Sequence, residues 1–116
     1  MNILFVCSRN KRRSRTAEKI FSNDQRVYVK SAGFSSKSPV KISEKLVNWA
    51  DLILLMEYEH SKRLLELYRK IDIPKTEVLE IEDRFEYMDK ELIEILTEKT
   101  NEIIKTAHNN GSYEKP

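Results

Sequence analysis

Apolar residues in this chain occur both as short continuous runs and at helically spaced positions. Runs rich in β-forming residues predict strands at 2–6, 27–31 and 52–56, and a fourth strand at 78–81. The run at 52–56 is the most continuous, as expected for a strand buried on both faces. The segment 32–41 holds glycine, proline and several serines, which predicts a long surface loop.

Between and after these runs, apolar residues recur every three or four positions, which predicts four helices. Ser14 is placed to cap the first helix, Trp49 lies on the apolar face of the second, the third ends near Arg69, and Asp89 is placed to cap the last. Strands that alternate with helices are typical of parallel sheets with right-handed crossovers. The sequence therefore predicts an α/β fold, a single-domain four-stranded parallel sheet with helices on both faces.

Length and cysteine usage limit the possibilities further. A chain of 116 residues, 40% of them hydrophobic, supports one core and excludes a cleft between two lobes. We expect one domain over 1–107 and a frayed tail over 108–116. Cys7 is the only cysteine, so no internal disulfide can form and the cytoplasm is the expected location. The apolar start at 1–6 is too short for a signal peptide, and we expect no contact with a membrane.

The charged residues are unevenly distributed, although the net charge is only +2. Acidic residues gather between 77 and 102, whereas basic residues crowd one short segment, at Arg9, Lys11, Arg12, Arg13 and Arg15. This basic segment predicts an anionic partner. The two histidines, His60 and His108, are distant from each other and from the cysteine, and we expect His60 to lie at the surface. Since this pattern lacks the spacing of metal ligands, we expect neither a metal nor another cofactor.

Segment 7–14, Cys-Ser-Arg-Asn-Lys-Arg-Arg-Ser, joins the first strand to the first helix. Parallel α/β proteins bind ligands at this edge of the sheet, and such a loop can curl so that its N–H groups hold a tetrahedral oxyanion. The same positive field favours the thiolate of Cys7, while Arg13 can bind two oxygens of the anion. Asn10 can fix the curl, and Ser14 can hydrogen-bond the thiolate. The alternative is a free cysteine that packs as a small apolar residue.

These residues resemble the low-molecular-weight protein tyrosine phosphatases, and most closely their shorter bacterial branch. The resemblance spans nearly the whole chain and rests on residues 3–7, 10, 13–14, 17–18, 31–33, 49–56 and 87–92, with an acidic loop near Asp83. The family implies a phosphate-binding loop after the first strand, a nucleophile at Cys7, a phosphate-binding Arg13, a supporting Ser14 and a loop-shaping Asn10. It also implies hydrolysis of a phosphotyrosine protein or a small aryl phosphate, with inorganic phosphate as product.

Three departures separate this chain from the family pattern. Arg9 stands where the larger enzymes carry glycine, and Arg12 stands where they carry a second cysteine that protects the nucleophile. Asp83 lacks the proline that follows the family's general acid. We assign Asp83 as the acid that protonates the leaving group and then as the base for the attacking water, with Glu82 and Glu86 as alternatives.

Further residues of the loop and two aromatic side chains complete the predicted substrate site. Ser8, Arg9, Asn10, Lys11, Arg12 and Ser14 are expected to contact the substrate. Phe34 and Phe85 would form the walls of a slot for an aromatic ester, although each is also a candidate packing residue.

Other functions fit parts of the sequence. A protein of this fold with a defective acid would bind phosphate without turnover. The basic residues from 9 to 15 would also suit a nucleic-acid backbone, but the acidic C-terminal half and the lack of regularly spaced aromatic residues argue against that role. Arsenate reductases that share the fold require further cysteines, which this chain lacks.

Overall fold

A computed structural model describes residues 1–110 of the chain. Within them, strands and helices alternate in the following order: β1 (Asn2–Cys7), α1 (Arg13–Phe21), β2 (Tyr28–Gly33), α2 (Glu44–Trp49), β3 (Leu52–Leu55), α3 (Tyr58–Leu67), β4 (Lys75–Val78) and α4 (Lys90–Asn110). The four strands form one parallel sheet in the order β2-β1-β3-β4. This arrangement confirms the predicted single-domain α/β class.

The central strands β1 and β3 divide the apolar core into two layers, because successive side chains of a strand point to opposite faces. Ile3, Phe5 and Cys7 face the layer that α1 and α4 cover. Leu4 and Val6 face the layer that α2 and α3 cover. Burying each large aliphatic side chain contributes roughly 1.5–3 kcal/mol, which fixes the register of β1 and, with it, the position of its last residue.

Two boundaries differ from the sequence prediction for physical reasons. The fourth strand was predicted at 78–81, but β4 ends at Val78 because Glu80 takes a left-handed conformation with φ of 55°. Leu79 and Ile81 still pack into the core, and their N–H groups donate to the carbonyls of Leu55 and Met56. Ser14 was predicted to cap α1, but it lies inside that helix, where its side chain faces Cys7.

At the other end of the chain, the carboxylate of Asp89 caps α4 as predicted, since its Oδ1 accepts from the N–H groups of Glu91 and Leu92. The helix continues through Asn110, and the rest of the predicted tail, 111–116, lies outside the described residues. No helix within residues 1–110 is both long enough and apolar enough to cross a membrane.

Candidate active site

The loop of residues 8–12 runs from the carboxyl end of β1 to the start of α1, and its shape depends on Asn10. This residue has a φ of 53°, a left-handed conformation that asparagine adopts more readily than most residues. Its side chain is buried and makes three hydrogen bonds. The amide nitrogen donates to the hydroxyls of Ser14 and Ser31 over 2.9 Å each, and the amide oxygen accepts from the N–H of Val40 over 3.2 Å. The loop is therefore curled by a buried polar network.

That network continues behind the loop. The hydroxyl of Ser31 donates to the carboxylate of Glu18 over 2.7 Å, which joins β2 to α1. Gly33 at the end of β2 approaches the loop so closely that a Cβ atom there would lie 2.7 Å from the backbone nitrogen of Asn10. Only glycine fits this position without a shift of the loop.

Cys7 lies at the bottom of the curled loop with its side chain almost fully buried. Its sulfur is 3.0 Å from the hydroxyl oxygen of Ser14 and accepts the N–H of Asn10 over 3.2 Å. Both groups are thus placed to donate hydrogen bonds to a thiolate, as the segment 7–14 led us to expect.

Arg13 is buried beside the cysteine, with only 2% of its side chain exposed. One terminal nitrogen donates to the carbonyl of Ile81 over 2.6 Å, and the other donates to the carboxylate of Glu57 over 2.9 Å. The Nε atom lies 3.7 Å from Oδ1 of Asp83. A buried guanidinium is expensive unless it is paired and hydrogen-bonded, and these contacts supply the compensation.

Cys7 lines a pocket of about 410 Å³. Seven of the predicted site residues line it, namely Cys7, Ser8, Arg9, Lys11, Arg12, Arg13 and Asp83. Asn10 and Ser14 do not line the pocket but stand behind it, where they hold the loop and the sulfur. The geometry therefore gathers a thiol, an arginine and a carboxylate around one polar cavity.

The three candidate acids differ in their surroundings. Asp83 reaches into the pocket beside Arg13. Glu82 pairs instead with Arg84 over 3.1 Å, and Glu86 lies 3.6 Å from Arg12 at the exposed rim.

Phe34 and Phe85, predicted to flank an aromatic substrate, are not brought into this pocket. Each residue is only 4% exposed to solvent, and the two belong to opposite layers of the core. The ring of Phe34 packs against His60, while the guanidinium of Arg84 covers Phe85. Burial in the core stabilises a phenylalanine more than a place on a wet pocket wall does, which explains the difference.

Two further residues contact the site although the sequence did not predict them as part of it, Glu57 and His60. His60, expected at the surface, is buried, and burial lowers the pKa of its imidazole. Its Nδ1 accepts the N–H of Glu57 over 3.3 Å, so the neutral ring carries its proton on Nε2, 3.1 Å from the hydroxyl of Ser8. The sequence did hold a signal for Glu57. This residue follows β3, which neighbours β1, and the carboxyl ends of adjacent parallel strands lie close together at one edge of the sheet.

The described residues, 1–110, hold no group of three His, Cys, Asp or Glu side chains placed to bind a metal ion. Comparison of the sequence with models of protein families and with curated proteins finds no match.

Solved structures, by contrast, match along almost the whole chain. The YwlE arginine phosphatase from Geobacillus stearothermophilus aligns with a TM-score of 0.71 and 21% identity, over 99% of this chain and 97% of its own. SP-PTP, a low molecular weight protein tyrosine phosphatase from Streptococcus pyogenes, aligns with a TM-score of 0.75 and 17% identity, over 90% and 91%. A low molecular weight protein tyrosine phosphatase from T. tengcongensis aligns with a TM-score of 0.69 and 23% identity, over 94% and 99%. The chain therefore has the fold of the low-molecular-weight protein tyrosine phosphatases.

Proposed function

We propose that this protein is a metal-independent phosphomonoester hydrolase that works through a phosphocysteine intermediate on Cys7. The observation that carries the proposal is the placement of the Cys7 sulfur at the bottom of a cationic pocket, with hydrogen-bond partners at Asn10 and Ser14. A sulfur that merely packed in the core would need neither the curled loop nor the buried arginine. The solved structures of the same fold, named as tyrosine and arginine phosphatases, support the same reaction class.

The first half of the reaction forms the intermediate. The thiolate of Cys7 attacks phosphorus, a sulfur–phosphorus bond forms, and the bond from phosphorus to the ester oxygen breaks. Asp83 gives its proton to the departing oxygen. Arg13 and the N–H groups of the 8–12 loop bind the remaining phosphoryl oxygens, whose charge is greatest in the transition state.

The second half returns the enzyme to its starting state. The carboxylate of Asp83 takes a proton from a water molecule that attacks phosphorus, and the sulfur–phosphorus bond breaks. The products are inorganic phosphate, the thiolate of Cys7 and a protonated Asp83. Ser14, 3.0 Å from the sulfur, stabilises the thiolate as it leaves.

Steady-state hydrolysis of an aryl phosphate in the presence of a chelator tests this proposal. We expect turnover by the wild type and none by Cys7→Ser, while Ser36→Ala on the exposed loop should behave as the wild type. Calorimetry of inorganic phosphate binding to Cys7→Ser is the control, since binding would show that the pocket is still formed in the variant. A wild type that binds phosphate but hydrolyses no ester would instead be a phosphate-binding protein.

A further inference from the structure

The charged side chains that line the pocket are predominantly cationic. Four of its lining side chains are cationic, Arg9, Lys11, Arg12 and Arg13, and one, Asp83, is anionic. A phosphate monoester brings about two negative charges near neutral pH. The lining is therefore suited to an anion of this charge.

The cationic side chains without a carboxylate partner lie at the exposed rim of the pocket. Arg13 is already paired with Glu57 over 2.9 Å, and Arg12 lies 3.6 Å from Glu86. Arg9 and Lys11 are exposed, and neither forms an ion pair with any residue among 1–110. These two side chains are therefore free to meet charge on the part of the substrate that protrudes from the pocket.

The lining also has no surface suited to an aromatic ring. None of the described side chains around the pocket is aromatic, and Phe34 and Phe85 are committed to the core. A neutral phenol would gain little stacking here. A cationic leaving group such as a guanidinium would meet Arg9 and Lys11 as like charges.

Resting on the proposed function, we propose that the site selects phosphate monoesters whose leaving group itself carries negative charge, with Arg9 and Lys11 as the specificity-determining residues. A carboxylate or a second phosphate close to the ester has the required chemistry. Such a group is found both in small bisphosphorylated molecules and in phosphopeptides with acidic neighbours.

Three aryl phosphates that differ only in a remote substituent test the proposal: the 4-(carboxymethyl)phenyl, 4-(carbamoylmethyl)phenyl and 4-(2-aminoethyl)phenyl esters. Their phenols are of similar acidity, so the chemical step is matched while the charge changes from negative to neutral to positive. At low ionic strength we expect kcat/KM to fall in that order, with about tenfold between the first two, the size that two exposed ion pairs supply. Raising the salt concentration to about 0.5 M should reduce the differences in kcat/KM among the three esters, because exposed charges are screened.

Variants assign the preference to its residues. In Arg9→Gln and Lys11→Gln, the ratio of kcat/KM for the carboxylate ester to that for the neutral ester should fall toward one. Lys45→Gln, which removes an exposed cation of α2 that does not line the pocket, should keep the wild-type ratio. A peptide with glutamates beside phosphotyrosine and a small alkyl bisphosphate, each compared with its uncharged counterpart, identify which source of negative charge the pocket accepts.

The outcomes separate the two proposals. Hydrolysis of all three esters at equal kcat/KM, or fastest hydrolysis of the cationic one, would overturn the charge preference while leaving the phosphatase proposal in place. A preference that survives in both the Arg9 and Lys11 variants would also overturn it. Failure to hydrolyse any ester would remove the proposed function itself.

Discussion

The two sides of the pocket are built in opposite ways. The rear side consists of the buried polar residues Asn10, Ser14 and Ser31, joined by hydrogen bonds of 2.9 Å. The rim consists of exposed charges such as Arg12, whose contact with Glu86 spans 3.6 Å between half-exposed and largely exposed side chains. Buried hydrogen bonds fix geometry, whereas exposed charges are screened and mobile. Changes at the rear should thus alter shape and stability, and changes at the rim should alter affinity.

The largest effect is expected at the bottom of the pocket, from Arg13→Lys. The charge is kept, but an ammonium group cannot hold two oxygens in the plane of a guanidinium fork, and it leaves Ile81 or Glu57 without its donor. We expect kcat to fall on the order of a thousandfold. Single-turnover kinetics would measure the loss, with the exposed Arg69→Lys as control. A purely electrostatic role for Arg13 would instead leave most of the activity.

The next largest effect concerns the general acid. A strongly acidic phenol departs without a proton, whereas a poor leaving group needs one. Asp83→Asn should therefore slow hydrolysis of phenyl phosphate by about a hundredfold and affect 4-nitrophenyl phosphate much less. Glu82→Gln is the matched control, since Glu82 pairs with Arg84 away from the pocket. A graded loss in Glu82→Gln or Glu86→Gln, with none in Asp83→Asn, would reassign the acid.

At the rear of the pocket, Asn10→Ala should reduce stability as well as activity. The substitution removes three side-chain hydrogen bonds and places alanine in a left-handed conformation that it disfavours. We expect the free energy of unfolding in urea to fall by about 2–4 kcal/mol. Asn10→Gly should recover the conformational part only, because glycine accepts the positive φ but makes no side-chain bonds. Asn48→Ala, on the exposed face of α2, should cost nothing; an equal cost there would remove any special role for Asn10.

At the rim, Arg12→Ala should have a much smaller effect. Its contact with Glu86 is exposed, and such pairs contribute at most about 1 kcal/mol. We expect KM for an anionic ester to rise by about threefold at low salt and the difference to vanish near 0.5 M salt. If kcat fell as severely as in Arg13→Lys, the distinction between a geometric bottom and an electrostatic rim would be wrong.

The smallest predicted effect is a pH dependence of stability from His60, which connects α3 to the 8–12 loop. Burial lowers its pKa, the neighbouring Glu57 and Glu59 oppose that shift, and Arg13 and Arg63 add to it. Because burial disfavours the charged ring in the folded state, the unfolded chain binds the proton more readily. Stability should therefore decline as the pH falls below about 6.5, the ordinary value for histidine. Thermal unfolding of His60→Gln between pH 7.5 and 5.5 should show a flatter dependence than the wild type, and equal slopes would refute the assignment.

The sequence predicted the local parts of this molecule well and the long-range parts poorly. The first three strands, the curl at Asn10 and the contact of Cys7 with Ser14 follow from spacing within a few residues. Glu57 and the carbonyl of Ile81 lie 44 and 68 positions from Arg13, and they meet it only because the carboxyl ends of neighbouring strands converge. The burial of Phe34 and Phe85 could not be predicted from the sequence either, since it depends on how side chains pack in both layers of the core.

The segment after β2 adds a consequence for how the pocket binds an anion. Phe34 and Ser35 donate backbone hydrogen bonds to the carbonyls of Cys7 and Ser8, Val40 bonds to Asn10, and Gly33 leaves no slack against the loop. The 8–12 loop is thus held in its curled form by contacts with parts of the chain that are distant in sequence. Little conformational entropy remains to be lost on binding, so the interaction energy goes into affinity and is not consumed by ordering the loop. Such a preorganised loop should bind phosphate with little change in its own conformation.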